Sequence, residues 1–160
     1  MINLEQRHSK WMSFAFSQAQ KAYDSNEVPV GAVVVNEAGQ VIGVGHNQKE
    51  TLHNTLAHAE MAALEEAQKS LGDWRLNGCT LITTLEPCPM CAGAILQTRI
   101  SRLIIGAVES KWGAAGSVVD LFKPDLFNHK VKVEVIPHQA SVTLLQSFFE
   151  KLRNKSKEKK

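Results

Sequence analysis

A chain of 160 residues with 44% apolar and 21% charged residues fits one soluble domain and excludes a disordered polymer. No apolar run reaches bilayer length, and residues 1–6 lack a basic region followed by an apolar stretch, so neither a membrane span nor a secretory signal is expected. The net charge of +2 is uneven: the last ten residues carry six basic side chains and one acid, which leaves −3 over residues 1–150. The globular part therefore gives no bulk-charge argument for nucleic acid, although the tail could meet phosphates.

Residues 9–24 read as an amphipathic helix, with Ser9 as the cap and Trp11, Met12, Ala15, Phe16, Ala19, Ala22 and Tyr23 on one stripe. Residues 30–35 and 40–47 read as a β-hairpin around the turn Asn36-Glu37-Ala38-Gly39. Gly31, Gly43 and Gly45 would weaken these strands unless something packs close to the backbone there. A helix follows over 56–70, a third strand over 79–85, a helix over 88–98 and a fourth strand over 102–106. The small-residue loop Gly113-Ala114-Ala115-Gly116-Ser117 leads to a short helix predicted near 118–121. Residues 130–136 alternate as a half-exposed or edge strand, and 138–152 form a last helix. Helices interleaved with strands predict a three-layer α/β/α domain, one five-stranded mixed sheet covered on both faces and starting with an antiparallel hairpin. The domain is expected over residues 1–153, with 154–160 a basic, disordered tail.

Three cysteines, two of them in Cys88-Pro89-Met90-Cys91, argue against a disulfide framework and for a reducing, cytoplasmic setting. Cys-x-x-Cys alone reads as a redox pair or half a zinc site. Here Cys88 and Cys91 are three apart at a helix start, so they share one face, and the helix dipole favours their thiolate forms. His58 lies at another strand-to-helix junction, in His58-Ala59-Glu60. One His and two Cys give zinc three ligands and leave a position for water, the mark of a catalytic site. Glu60, two residues from His58, is then a carboxylate beside the metal rather than on it. His46 or His53 as a fourth ligand would instead close the site and make it structural. Cys79 reads as a small core residue.

His58-Ala59-Glu60 with Pro87-Cys88-Pro89-Met90-Cys91 resembles the signature of zinc-dependent nucleobase deaminases. Pro29-Val30-Gly31-Ala32-Val33, Thr84-Leu85-Glu86-Pro87-Cys88, Cys91-Ala92-Gly93-Ala94, the Gly113–Ser117 loop, Asn128-His129-Lys130 and Phe148-Phe149 are similar to the bacterial tRNA-specific adenosine deaminases. The resemblance spans roughly residues 8–153. It implies a cytidine-deaminase-like fold, one Zn2+ per subunit held by His58, Cys88 and Cys91, and Glu60 as the proton carrier. It further implies hydrolytic deamination of the wobble adenosine, position 34 of a tRNA anticodon, by a homodimer. Asn47 would contact the flipped nucleoside, Leu85, Glu86 and Pro87 would line the base pocket, and Phe148 and Phe149 would lie near the RNA. Family members often carry an Arg-Asp pair where this chain has Val108 and Glu109, so Glu109 is expected near the RNA with altered contacts. Two other readings share the scaffold: a deaminase of free guanine, cytosine or a nucleoside, and a zinc-stabilised binding module without catalysis.

Overall fold

The computed structural model describes residues 3–160; residues 1 and 2, the start of the expected domain, lie outside the described residues. The elements run α1 (Leu4–Asp24), β1 (Gly31–Val35), β2 (Val41–His46), α2 (Ala59–Leu71), β3 (Thr80–Thr83), α3 (Pro89–Gln97), β4 (Arg102–Ile105), β5 (Lys132–Val135) and α4 (Gln139–Glu158). The strands form one sheet in the order β2-β1-β3-β4-β5. β1 runs antiparallel to both β2 and β3, whereas β3, β4 and β5 are mutually parallel. The mixed five-stranded sheet expected from the sequence is thus present, with β5 as an edge strand.

Alternation along the strands splits the core in two. Val33, Val35, Ile82 and Ile104 pack against Trp11, Met12 and Ala15 of α1. Their neighbours Ala32, Val34, Leu81, Leu103 and Ile105 face the other way, onto Ala63, Leu64 and Ala67 of α2 and Ala92 and Ile95 of α3. The glycines mark where helices press closest to the sheet. A Cβ on Gly31 would strike the Ala15 carbonyl, and one on Gly43 or Gly45 would strike the carbonyls of Ala63 or Ala59. α2 therefore lies almost on the β2 backbone, and its position is fixed by contact rather than by side-chain length.

Three expectations need correction. The first helix begins at Leu4, not at Ser9. Asn3 caps it, accepting from Gln6 N at 2.8 Å while the Gln6 side chain accepts from Asn3 N at 3.0 Å, a reciprocal capping box. No short helix forms at 118–121; residues 113–121 make a tight loop closed by an Ala115–Asp120 bridge. The amides of Val118 and Val119 turn back to the Gly113 carbonyl and that of Leu121 to the Ala114 carbonyl, none of them an i→i−4 bond, while the amides of Ala115 and Ser117 just before point to the Glu86 carboxylate. Finally, α4 continues to Glu158, through the segment expected to be disordered. That segment contains neither Gly nor Pro, and its Lys and Glu are good helix formers.

Candidate active site

The strand-to-helix junctions of α2 and α3 put the functional residues in place. His58 is the N-cap of α2 and Cys88 the N-cap of α3, both with extended backbone and neither using its side chain to cap. The imidazole and the thiol are therefore free for other work. Pro89 at the first position of α3 costs no hydrogen bond, because that amide has no helical partner. Nine-residue α3 would be marginal alone. It is anchored by Ile95 and Leu96, whose burial contributes about 1.5–3 kcal/mol each. One turn in from the cap, Cys91 is fully buried.

His58 Nδ1 lies 3.6 Å from Cys88 Sγ and 3.4 Å from Cys91 Sγ. A zinc ion bonded at about 2.1 Å to nitrogen and 2.3 Å to sulfur would set tetrahedral N···S edges of about 3.6 Å. The donor set and its spacing thus fit zinc. Among the described residues His58, Cys88 and Cys91 are the His, Cys, Asp or Glu group close enough to hold a metal. His46 and His53 are not part of it, so the closed, four-ligand alternative finds no support.

The electrostatics suit a metal. Without one, the hydrogen bond from Cys91 is the main force holding the Cys88 thiol down at about 4, with the His58 interaction adding to it. Its hydrogen bond to Cys88, burial and the nearby Glu60 carboxylate push Cys91 up. His58 is raised by its bond to Cys88. Two thiols pushed in opposite directions beside an imidazole raised toward its charged form are an arrangement that a dication relieves, since it takes both thiolates and a neutral imidazole.

Glu60, in the first turn of α2, is 4% exposed. Its Oε2 accepts from Cys91 Sγ at 3.4 Å, and its Oε1 lies 3.4 Å from the Thr83 hydroxyl. Burial raises its pKa above the ordinary carboxylate value. A carboxyl tuned upward beside a metal site is suited to taking and returning a proton.

His58, Glu60 and Cys88 line a cavity of about 450 Å³, within the usual range for small-molecule sites. Asn47, Leu85, Glu86 and Glu109 line it, as do Val28, Lys49, Thr55, Met90 and Trp112. Asn47 donates from Nδ2 to the Val28 carbonyl at 3.2 Å and accepts at Oδ1 from Lys49 N at 3.2 Å. Pro87 is not in the lining; its carbonyl accepts from Ala114 N at 2.9 Å. Phe148 and Phe149 are not at the cavity. They lie on α4, where Phe148 meets Tyr23 edge-on at 6.4 Å. His129 and Lys130 are spent locally, His129 Nε2 on the Ile100 carbonyl at 2.6 Å and Lys130 on the carbonyls of Pro124 and Phe127.

Sequence reasoning did not single out Thr83 or Glu27. Glu27 is buried, and its carboxylate accepts from the amides of Glu50 and Thr51 at 3.0 and 2.9 Å, fixing the loop that carries Lys49 to the cavity. Its sign in the sequence is an acid set directly before the apolar run that enters β1.

A sheet covered on both faces, with His and two Cys converging beside a buried Glu at two helix starts, defines a zinc deaminase domain. The family model of the cytidine and deoxycytidylate deaminase zinc-binding region matches residues 5–107. The chain belongs to this family, and within it to the tRNA-specific adenosine deaminases. It is 43% identical over 148 residues to the tRNA-specific adenosine deaminase of Bacillus subtilis, covering 92% of this chain and 91% of that protein. To the enzyme of that name from Aquifex aeolicus it is 42% identical over 144 residues, covering 90% and 95%. A solved structure from a study of A-to-I editing by tRNA:A34 deaminases superposes with a TM-score of 0.75 at 41% identity, covering 80% of this chain and 98% of that one. The guanine deaminase of Bacillus subtilis is more distant, at 27% identity and a TM-score of 0.61, covering 89% and 94%.

Proposed function

We propose that this chain is a zinc-dependent hydrolase that converts adenosine to inosine at wobble position 34 of a tRNA anticodon. The observation that carries the reaction class is the buried Glu60 carboxylate, which lies 3.4 Å from a ligand of the zinc site and lines the cavity. The observation that favours tRNA is the identity of 43% to an enzyme named for that substrate, against 27% to a guanine deaminase.

Bound by His58, Cys88 and Cys91, zinc supplies Lewis-acid activation of a water, whose pKa falls to about 7. Glu60 would relay both protons of the attacking water in turn, one to the purine ring nitrogen and the other to the departing amine. Water and adenosine are consumed, and inosine and ammonia leave. Burial raises the proton affinity of Glu60 above that of an ordinary carboxylate, which suits a group that takes and returns protons. Asn47 and Leu85 bound the space for the flipped nucleoside, and Glu109 and Trp112 stand at its mouth. Val108 and Glu109 stand where the family resemblance often implies an Arg-Asp pair, so exposed Val108 brings no cation to the RNA there. Phe149, 41% exposed, and the basic end of α4 meet the anticodon stem and loop through stacking and charge. The enzyme works as a homodimer in the cytoplasm. Exposed Leu52, Leu56, Val118, Val119 and Phe127 supply apolar surface for a second subunit, and free cysteines suit a reducing compartment.

The test is incubation of the zinc-loaded protein with an anticodon stem-loop bearing a wobble adenosine, read by sequencing for inosine. Guanine, cytosine and free adenosine are run alongside. Inosine in the RNA, lost in a Glu60→Ala variant that keeps its zinc, is the expected result. Ammonia from a free base with none from the RNA would replace this reading with that of a free-base deaminase. Light scattering at twice the 17.7 kDa chain mass checks the dimer.

A further inference from the structure

One buried carboxylate outside the metal set organises a whole wall of the cavity. Glu86 is 3% exposed, and both its oxygens are engaged by a segment 23 to 31 residues later. Oε2 accepts from the amides of Ala115 and Ser117 at 3.1 and 3.2 Å. Oε1 accepts from the Ser117 hydroxyl at 2.5 Å and, more distantly, from Glu109 N at 3.4 Å. The backbone joins in: Glu86 N donates to the Ala107 carbonyl at 2.8 Å, and Ala114 N donates to the Pro87 carbonyl. A Cβ at Gly113 would collide with Glu86 Oε2, so the carboxylate also requires glycine there. None of these bonds involves zinc, His58 or Glu60. The first part of the segment so held belongs to the cavity, since Glu109 and Trp112 line it, while Ser117 anchors its far end to Glu86.

We propose that Glu86 is a positioning residue: its carboxylate holds the 109–117 loop as the substrate-side wall, and so sets how the RNA is gripped rather than the rate of the chemical step. This rests on the RNA deaminase reading above. Glu86 sits two residues before Cys88, so one short stretch fixes both the metal and the wall that faces it. A charged acceptor with two oxygens suits this work, because four donors from one loop converge on it. An amide at the same place offers one oxygen and turns two N–H groups toward backbone donors.

The experiment compares wild type, Glu86→Gln and Ser117→Ala as zinc-loaded full chains. Three quantities are read: bound zinc per chain, tryptic cleavage after exposed Lys111, and kcat and KM on the wobble-adenosine stem-loop. Glu86→Gln should keep one zinc, cut faster after Lys111, and raise KM about tenfold while kcat moves less than about threefold. Ser117→Ala, which removes one hydroxyl at the outer end, should shift cleavage and KM the same way by a smaller factor. Loss of zinc in folded Glu86→Gln, or a fall in kcat at unchanged KM, overturns the proposal and assigns Glu86 to the metal site or the chemistry. Unchanged cleavage and KM in both variants overturn it as well. Should Glu86→Gln not fold, Ser117→Ala decides alone. Should wild type make no inosine, the RNA reading fails, and cleavage after Lys111 still decides whether the carboxylate holds the loop.

Discussion

At the residue scale, the chemistry depends on separating two acids that start alike. Glu60 and Glu86 are both buried, yet Glu86 is saturated by loop donors while Glu60 meets a thiol, its own backbone amide and a long contact to Thr83. Glu60 alone is therefore available to carry protons. Glu60→Gln should keep zinc and lower kcat about 10²–10⁴-fold, the usual contribution of a general acid–base. The same variant gives a pH test on metal-stripped protein. Glu60 has its pKa raised by burial, so folding opposes its ionisation. The opposition is absent below the unfolded value and grows as pH climbs toward the raised folded value. The thermal midpoint of Glu60→Gln should thus exceed wild type at neutral pH, and the two should converge as pH falls below the ordinary carboxylate range. A gap independent of pH would refute that account. Cys88 offers the converse case. With its thiol held at about 4 and its side chain half-buried, it should be alkylated selectively at pH 7 in metal-stripped protein. Buried Cys79 and Cys91 should resist, and added zinc should protect Cys88, all by peptide mass mapping. The ligands were legible in the sequence because metal chemistry fixes residue type and spacing together. Glu86 was legible only as a neighbour of the pocket, since its partners lie more than twenty residues away and contribute mostly backbone amides, which carry no sequence signal.

At the scale of elements, the site is as rigid as the contact between α2 and β2. Gly43 and Gly45 let the helix backbone approach the strand, and α2 presents His58 and Glu60 at its first turn. Two α2 side chains also reach the free edge of β2: Glu66 accepts from Val44 N at 2.8 Å, and Ser70 donates to the Ile42 carbonyl at 2.8 Å. A methyl at position 45 must push the helix away. Gly45→Ala should cost about 1–3 kcal/mol or more of stability, as overpacking does, and should weaken zinc retention in parallel. Chelator competition beside thermal unfolding checks this. A stable Gly45→Ala with normal zinc affinity would mean that α2 is not positioned by this contact. Strand periods, both ligand-bearing helices and the need for close packing at the strand glycines could all be read from sequence, because each is a local consequence of side-chain pattern. The start of α1 was misplaced because the Asn3–Gln6 box precedes the apolar stripe. The short helix after Ser117 was wrongly expected because the amides of Val118, Val119 and Leu121 are taken by the carbonyls of Gly113 and Ala114, in a loop that a distant carboxylate holds.

For the whole molecule, charge is divided as the proposed task requires. Residues 1–150 are net acidic and house a cavity with a buried acid, while six of the 18 basic residues crowd into the last ten positions, along and just past the far end of α4. That end is a helix, so its lysines project from a rod rather than from a coil. α4 is tied to the domain through its earlier turns, where Ser141 is buried, Ser147 Oγ sits 3.2 Å from the Tyr23 hydroxyl and Phe148 packs on the Tyr23 ring. Removing residues 154–160 therefore takes away four lysines and one glutamate while leaving these packed turns in place. The truncated protein should keep its thermal midpoint, its zinc and its kcat at saturating RNA. Its affinity for the stem-loop should fall, and log K should depend less steeply on log salt, by about 0.7 for each phosphate that the tail no longer neutralises. Titration of both forms across a range of about 50–200 mM salt measures the difference. Equal slopes would show that these lysines stay in solvent and that the RNA is held by Phe149 and the cavity mouth alone. Equal slopes joined to a lower thermal midpoint would show instead that the last turns of α4 serve the fold.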